Sequence, residues 1–309
     1  MLDGHAHLRD PQKVTIRRVR AGASVEIVHR IRGWGIVVPM TKDAALAVLE
    51  TRTIDDLVID DEESFRHVAL YADLKQVVRA TKYAFRILPS SKPARWDRAL
   101  LLNLTYWGVA GSGTSDGGDV LADEHIAADV VAHVAWHRLA AGALASRSAD
   151  ALFLGEAVAS AFDVYLVGRL LGHSPQSSFL ETQVPATADA AAAAGLSKRE
   201  FSALLEGIAR DPERAFEDLR ALLFDATTSL VGCTGPDDAL AALARFDAHR
   251  FASLLHRYEL SNWVLYARAY AKDALAPDAS VRSVDQALRD AAVSLDWLTT
   301  HWVTPALTR

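Results

Sequence analysis

The sequence predicts an α+β protein: a mixed, β-rich N-terminal part, then a helix pair entered from a strand and a loop, then a mainly helical C-terminal part. Three observations predict it. Short β-branched, partly alternating runs crowd the first third. A Gly-rich stretch interrupts the chain near residue 110. From Asp123 onward nearly every segment has helical spacing.

In chain order, "KVTIRRVR", "SVEIVHRIR" and "WGIVVPM" read as strands, because Gly and Pro separate them and β-branched residues fill them. "KDAALAVLETRTIDDLV" reads helical. "ESFRHVALYADLKQVVRATKYAFRILP" carries helical spacing in its middle and stops before Pro89. "WDRALLLNLTYW" (96–107) reads as a buried strand, and "GVAGSGTSDGGD" as a hinge or a loop over a cleft. The helical spacing then predicts helices over 123–146, 150–171, 197–210, 212–230, 236–276 in pieces, and 280–302. "TADAAAAAGLSKRE" reads as a helix with a turn at Gly195, and Pro212 and Pro236 stand at helix starts. These elements divide the chain into 1–95, 96–180 and 181–309, with a soft boundary near 170–195. No internal repeat is visible.

Composition narrows the functional classes. Half of the 309 residues are hydrophobic and 23% are charged, which suits a soluble globular chain. No unbroken run of about 18 apolar residues predicts a membrane span, and the polar start "MLDGHAHLRDPQ" lacks the apolar core of a signal peptide. Cys233 is the single cysteine, so an intrachain disulfide is impossible; the expected compartment is the cytoplasm. Residues 1–100 hold 17 basic against 13 acidic side chains, too mild a surplus for a nucleic-acid footprint. The arginines at 17, 18, 20, 30 and 32 read as a solvated sheet face.

The chemistry-bearing stretch is "DVVAHVAWHRLA" (129–140). An i,i+4 step on a helix turns by only about 40°, so His133 and His137 face the same way and both imidazoles can reach one ion. Asp129 and His125 extend that stripe backwards by one and two turns. A satisfied histidine pair on a helix face is the competing reading. In the next helix, "ADALFLGEAVASAFDVYLVGRLLG", Glu156 is an acidic residue set among apolar ones near the N-terminal end. An antiparallel second helix would bring it to the histidines and leave a fourth tetrahedral position open. As an alternative, Glu156 caps its helix through the dipole.

The phrases "HVAWH" and "LGEAVAS", with the strand before them, resemble the gluzincin metallopeptidases, the group of thermolysin and the leukotriene A4 hydrolase-like aminopeptidases. Their pattern is H-E-x-x-H followed by a glutamate in a phrase such as N-E-G-x-A. The resemblance covers about residues 96–170. It implies zincin-like active-site helices, Zn2+ as cofactor, and His133, His137 and Glu156 as its ligands. The family's general-base glutamate is replaced by Val134, which accepts no proton. Trp136 excludes the inverted motif H-x-x-E-H. Two acids stand near in sequence as candidate catalytic residues. Glu124 precedes or caps the helix. Asp129 suits the role of orienting a metal-bound histidine, or is simply an early-turn acid favoured by the dipole. The family also uses a downstream Tyr or His; His249, His256, Trp263 and Tyr270 recur every seven residues, and Tyr258 and Tyr266 lie among them. Aromatic stripes of that kind belong more often to a core.

The resulting expectation is a zinc-dependent metalloenzyme acting by Lewis-acid activation on a small-molecule or peptide ligand in a cleft under the loop 108–122. A catalytically inactive binding or scaffolding protein is the alternative. Neither nucleic acid nor membrane is an expected partner. "DGHAHLRDP" (3–11) looks like an amidohydrolase HxH phrase, but no eightfold β/α alternation follows. Nothing basic flanks Cys233.

Overall fold

The computed structural model describes residues 50–87, 120–121, 123–270 and 275–308, together with strand segments between 20 and 36. By contact the chain forms two compact units, residues 1–50 and 51–309. In the first, β1 (Arg20–Ala21) pairs antiparallel with β2 (Ser24–Val25), and β3 (His29–Ile31) with β4 (Trp34–Ile36). The register opposes His29 to Ile36 and Ile31 to Trp34. The strand readings of "SVEIVHRIR" and "WGIVVPM" therefore hold over the described residues.

The second unit is mostly helical, with short strands at its N-terminal side, which makes the chain α+β in the coarse sense. Strands β5 (Glu50–Arg52), β7 (Phe85–Ile87) and β8 (Val120–Leu121) form one sheet in the order β5-β7-β8. Strands β6 (Val58–Asp60) and β9 (His125–Ala127) form a parallel pair, Val58 opposite His125 and Asp60 opposite Ala127. Helix α1 (Ala69–Ala80) lies between β6 and β7 in the chain and buries Tyr71, Leu74, Val77 and Val78, a 3.6-residue stripe. Two expectations are corrected. Over 50–60 the chain forms strand, 3-10 turn and strand rather than helix, and over 125–127 it is strand, so the next helix starts at Ala128. The strand expected at 96–107 lies outside the described residues, as does the loop expected at 108–122 except for Val120–Leu121, which form β8 rather than loop.

Helix α2 (Ala128–Leu144) and helix α3 (Ala149–Leu171) form a hairpin through the turn 145–148. Ala145 bends out of α2 with φ +46°, and Ser148 caps α3 by accepting from the Ala151 N–H. Then come α4 (Ser178–Ala193), α5 (Lys198–Arg210), α6 (Pro212–Leu230), α7 (Pro236–Ala244), α8 (Leu260–Tyr270), α9 (Ala279–Asp290), and a last helical stretch 294–307 containing a π turn at Thr299–Val303. The starts follow local chemistry. Ser197 and Glu200 form a capping box on α5, Asp211 accepts from the Arg214 N–H, and Pro212 and Pro236 occupy first turns as expected. Gly195, at φ +88°, ends α4 in the turn the sequence places there.

Helix α3 is the centre of the core. Seventeen of its 23 residues are buried. By length and composition it could cross a bilayer, yet its apolar window is 83% buried within the protein. At Gly168 a Cβ would stand 2.7 Å from the Ile208 carbonyl oxygen and 2.8 Å from Pro212 Cβ, so the α5–α6 corner packs directly on backbone there.

Candidate metal centre

The parallel β6–β9 pairing delivers the chain into α2, and the hairpin turn returns it antiparallel as α3. His137 of α2 therefore meets Glu156 of α3, and His133, one turn earlier, meets Asp163, about two turns further on. Nε2 of His137 lies 3.1 Å from Nε2 of His133 and 3.7 Å from Glu156 Oε2. One ligand atom from each of the three lies within 4.8 Å of the others. The side chains are half-buried, with 21%, 36% and 23% exposure for His133, His137 and Glu156. At Zn–ligand distances of about 2.0–2.1 Å a tetrahedral edge measures about 3.3 Å. The 3.1 and 3.7 Å separations bracket that edge and the third lies within 4.8 Å, so two imidazoles and a carboxylate suit a divalent ion in chemistry, with the His133–Glu156 edge bounded only by that wider limit. Glu156 sits in the third turn of α3, whose N-cap is Ser148, which removes its capping alternative.

Asp163 is a neighbour of this cluster that sequence reasoning missed. Its Oδ2 stands 3.8 Å from Nδ1 of His133, on the side of the ring facing away from His137. That separation exceeds a hydrogen bond, so the carboxylate acts on the ring through its charge alone. Its signal was the antiparallel pairing: once 137 faces 156, residues earlier than 137 must face residues later than 156.

Asp129 lies close enough to His133 and Asp163 to feel their charges. Burial lifts its carboxyl from 3.8 to about 6, and the negative charge of Asp163 adds to the rise; backbone N–H groups and His133 pull the other way. A carboxyl with a higher pKa folded than unfolded takes up protons on folding between about pH 4 and 6. Stability from this group is thus present at low pH and lost as pH rises through that window. Asp129→Asn is expected to flatten that slope and to raise stability relative to the native chain above pH 6, checked by urea denaturation at pH 4.5 and 7.5.

The other predicted positions separate. His125 lies in β9, off the helical stripe, and its Nδ1 meets Asp60 Oδ1 at 3.0 Å; that hydrogen bond, then the charge of Asp60, raises its pKa. Glu124 is exposed ahead of β9, its backbone carbonyl accepts from the Val58 N–H, and its charge acts on His125. Inside the motif, Val134 is 4% exposed and Trp136 fully buried, with Trp136 edge-on to Phe162 at 5.5 Å. Those two positions belong to the core. His249, His256, Trp263 and Tyr270 do not share one helix: they fall in a turn, a 3-10 segment and α8, with a break at Glu259, φ +48°. Tyr258 closes the 3-10 segment, and its hydroxyl pKa is raised by burial and also by the charge of Asp163. Cys233 donates to the Ser229 carbonyl at 3.4 Å in the turn after α6. Set against protein-family models, curated proteins and solved structures, the chain matches none of them.

Proposed function

We propose that this chain is a zinc-dependent metalloenzyme on a gluzincin-like helix pair, acting on a small molecule or peptide without the family's usual base. The observation that carries this reading is the convergence of His133, His137 and Glu156, with ligand atoms within 4.8 Å of one another. These three would hold the ion, and Asp163 would act on the ring of His133 through its charge. When bound, zinc supplies Lewis-acid polarisation of an oxygen-bearing group. The chain's own part is to hold and orient; Val134 can move no proton.

One observation favours a second reading, a non-catalytic binding or scaffolding protein. Val134 is nearly fully buried, so the place of the missing base is filled by core packing. Elemental analysis of untagged protein is expected to give about one zinc per chain; a metal-free chain would sink the enzyme reading and leave the binding protein. Turnover of a panel of esters and peptides, lost with a chelator and restored by zinc, supports the enzyme. A fully loaded chain with no turnover leaves the binding protein. In Val134→Glu, peptidase activity would reveal a dormant protease; the expected result is zinc retained, no peptidase and lower stability, because the new carboxylate is unpaired in the core.

A further inference from the structure

The turn that joins the two metal-site helices is gripped from the C-terminal segment by polar groups. Asp150, 2% exposed, sits in the first turn of α3. Its Oδ2 accepts from the Asp278 N–H at 2.9 Å and from Arg282 Nε at 2.8 Å. In return the Asp278 carboxylate accepts from Ser146 Oγ at 2.7 Å, inside the turn, while also capping α9 through the N–H groups of Ser280 and Val281. Hydrogen bonds from serine hydroxyls, Ser280 first and Ser146 next, hold Asp278 far below the ordinary carboxylate range, so it stays ionised.

The site lies symmetrically about this turn. His137 stands eight residues before Ala145, and Glu156 eight residues after Ser148. At 1.5 Å per residue each ligand is about 12 Å from the pivot. Opening the hairpin by about 5° would move the ligands apart by about 1 Å, against a metal-site tolerance of about 0.2 Å. A grip at the pivot therefore governs the spacing of His137 and Glu156 with high leverage.

We infer that Asp150, Asp278 and Arg282 form a positioning clamp, through which the C-terminal segment sets the opening of the α2–α3 hairpin and so the affinity of the metal site. The clamp rests on the zinc reading above for its consequence, but its mechanical effect does not need metal. Arg282 is 48% exposed, so its removal leaves the core intact. In Arg282→Ala the zinc Kd is expected to rise about tenfold, the size of an outer-sphere positioning loss, with partial recovery in Arg282→Lys. Leu288→Ala, which weakens the buried face of α9 away from the clamp, is expected to lower Tm more while leaving the Kd within twofold. In the zinc-free protein, amide exchange across 138–152 is expected to quicken in Arg282→Ala. A Kd within twofold of native in Arg282→Ala, a Kd that follows Tm in both variants, or unchanged exchange at the turn overturns the clamp. A native chain that takes up no zinc overturns the metal reading instead, leaving the exchange result to decide the clamp.

Discussion

Zinc content is expected to collapse from about one ion per chain to below a tenth in Glu156→Ala, and equally in His133→Ala. An apparent binding free energy of about 10–16 kcal/mol, spread over three or four ligands, assigns each about 3–5 kcal/mol, or roughly 10²–10⁴ in Kd. Loss of Glu156 removes the only anionic ligand of the three, and loss of His133 also strands Asp163 without its imidazole. Both side chains are half-buried and can be shortened without opening the core. Competition titration with a chromophoric chelator measures the change, and circular dichroism confirms that the helices remain. An ion bound at full strength in both variants would disprove the ligand assignment.

Arg220→Ala is expected to cost about 3–5 kcal/mol of stability, the range for breaking a buried ion pair from one side. The Arg220 guanidinium is fully buried. It donates from Nε to Glu217 at 2.8 Å and from Nη1 to Asp285 at 2.7 Å. Asp285 also accepts from Arg289 at 2.9 Å, and Arg289 reaches Asp225 at 2.8 Å, so alternating charges tie α6 to α9. Without Arg220, Glu217 is left beside a void, and Asp285 keeps only its link to Arg289. Urea denaturation at pH 7 measures the loss. Arg220→Lys should recover only part of it, because an ammonium cannot reproduce the forked contact. A loss below about 1 kcal/mol would show that the network contributes little.

Most of the C-terminal helices were legible because their starts carry their own chemistry: Ser197 with Glu200, Asp211 with Pro212, Gly195 beyond α4. The convergence of His133, His137 and Glu156 was legible because helical spacing and a short connection constrain it almost alone. What failed was decided by partners distant in sequence. His125 continues a convincing helical stripe, yet pairing with Val58, 67 residues away, makes it a strand. The 50–60 stretch was likewise claimed by β7 and β9. Asp163 escaped because its role depends on the pairing of two helices, whereas Asp129, on the same helix as His133, was the acid that spacing brought forward. The seven-residue aromatic series was broken by the left-handed residue at Glu259, which no sequence rule marks.

The hairpin also fixes when the site can assemble. Its three ligands fall within 24 consecutive residues, joined by one tight turn, so closing it costs little chain entropy. A nascent chain can therefore gather the trio before α9 has left the ribosome, and the proposed ion, once bound, would act as an early nucleus for the later helices. The grip of Asp278 and Arg282 would then arrive on a hairpin already closed.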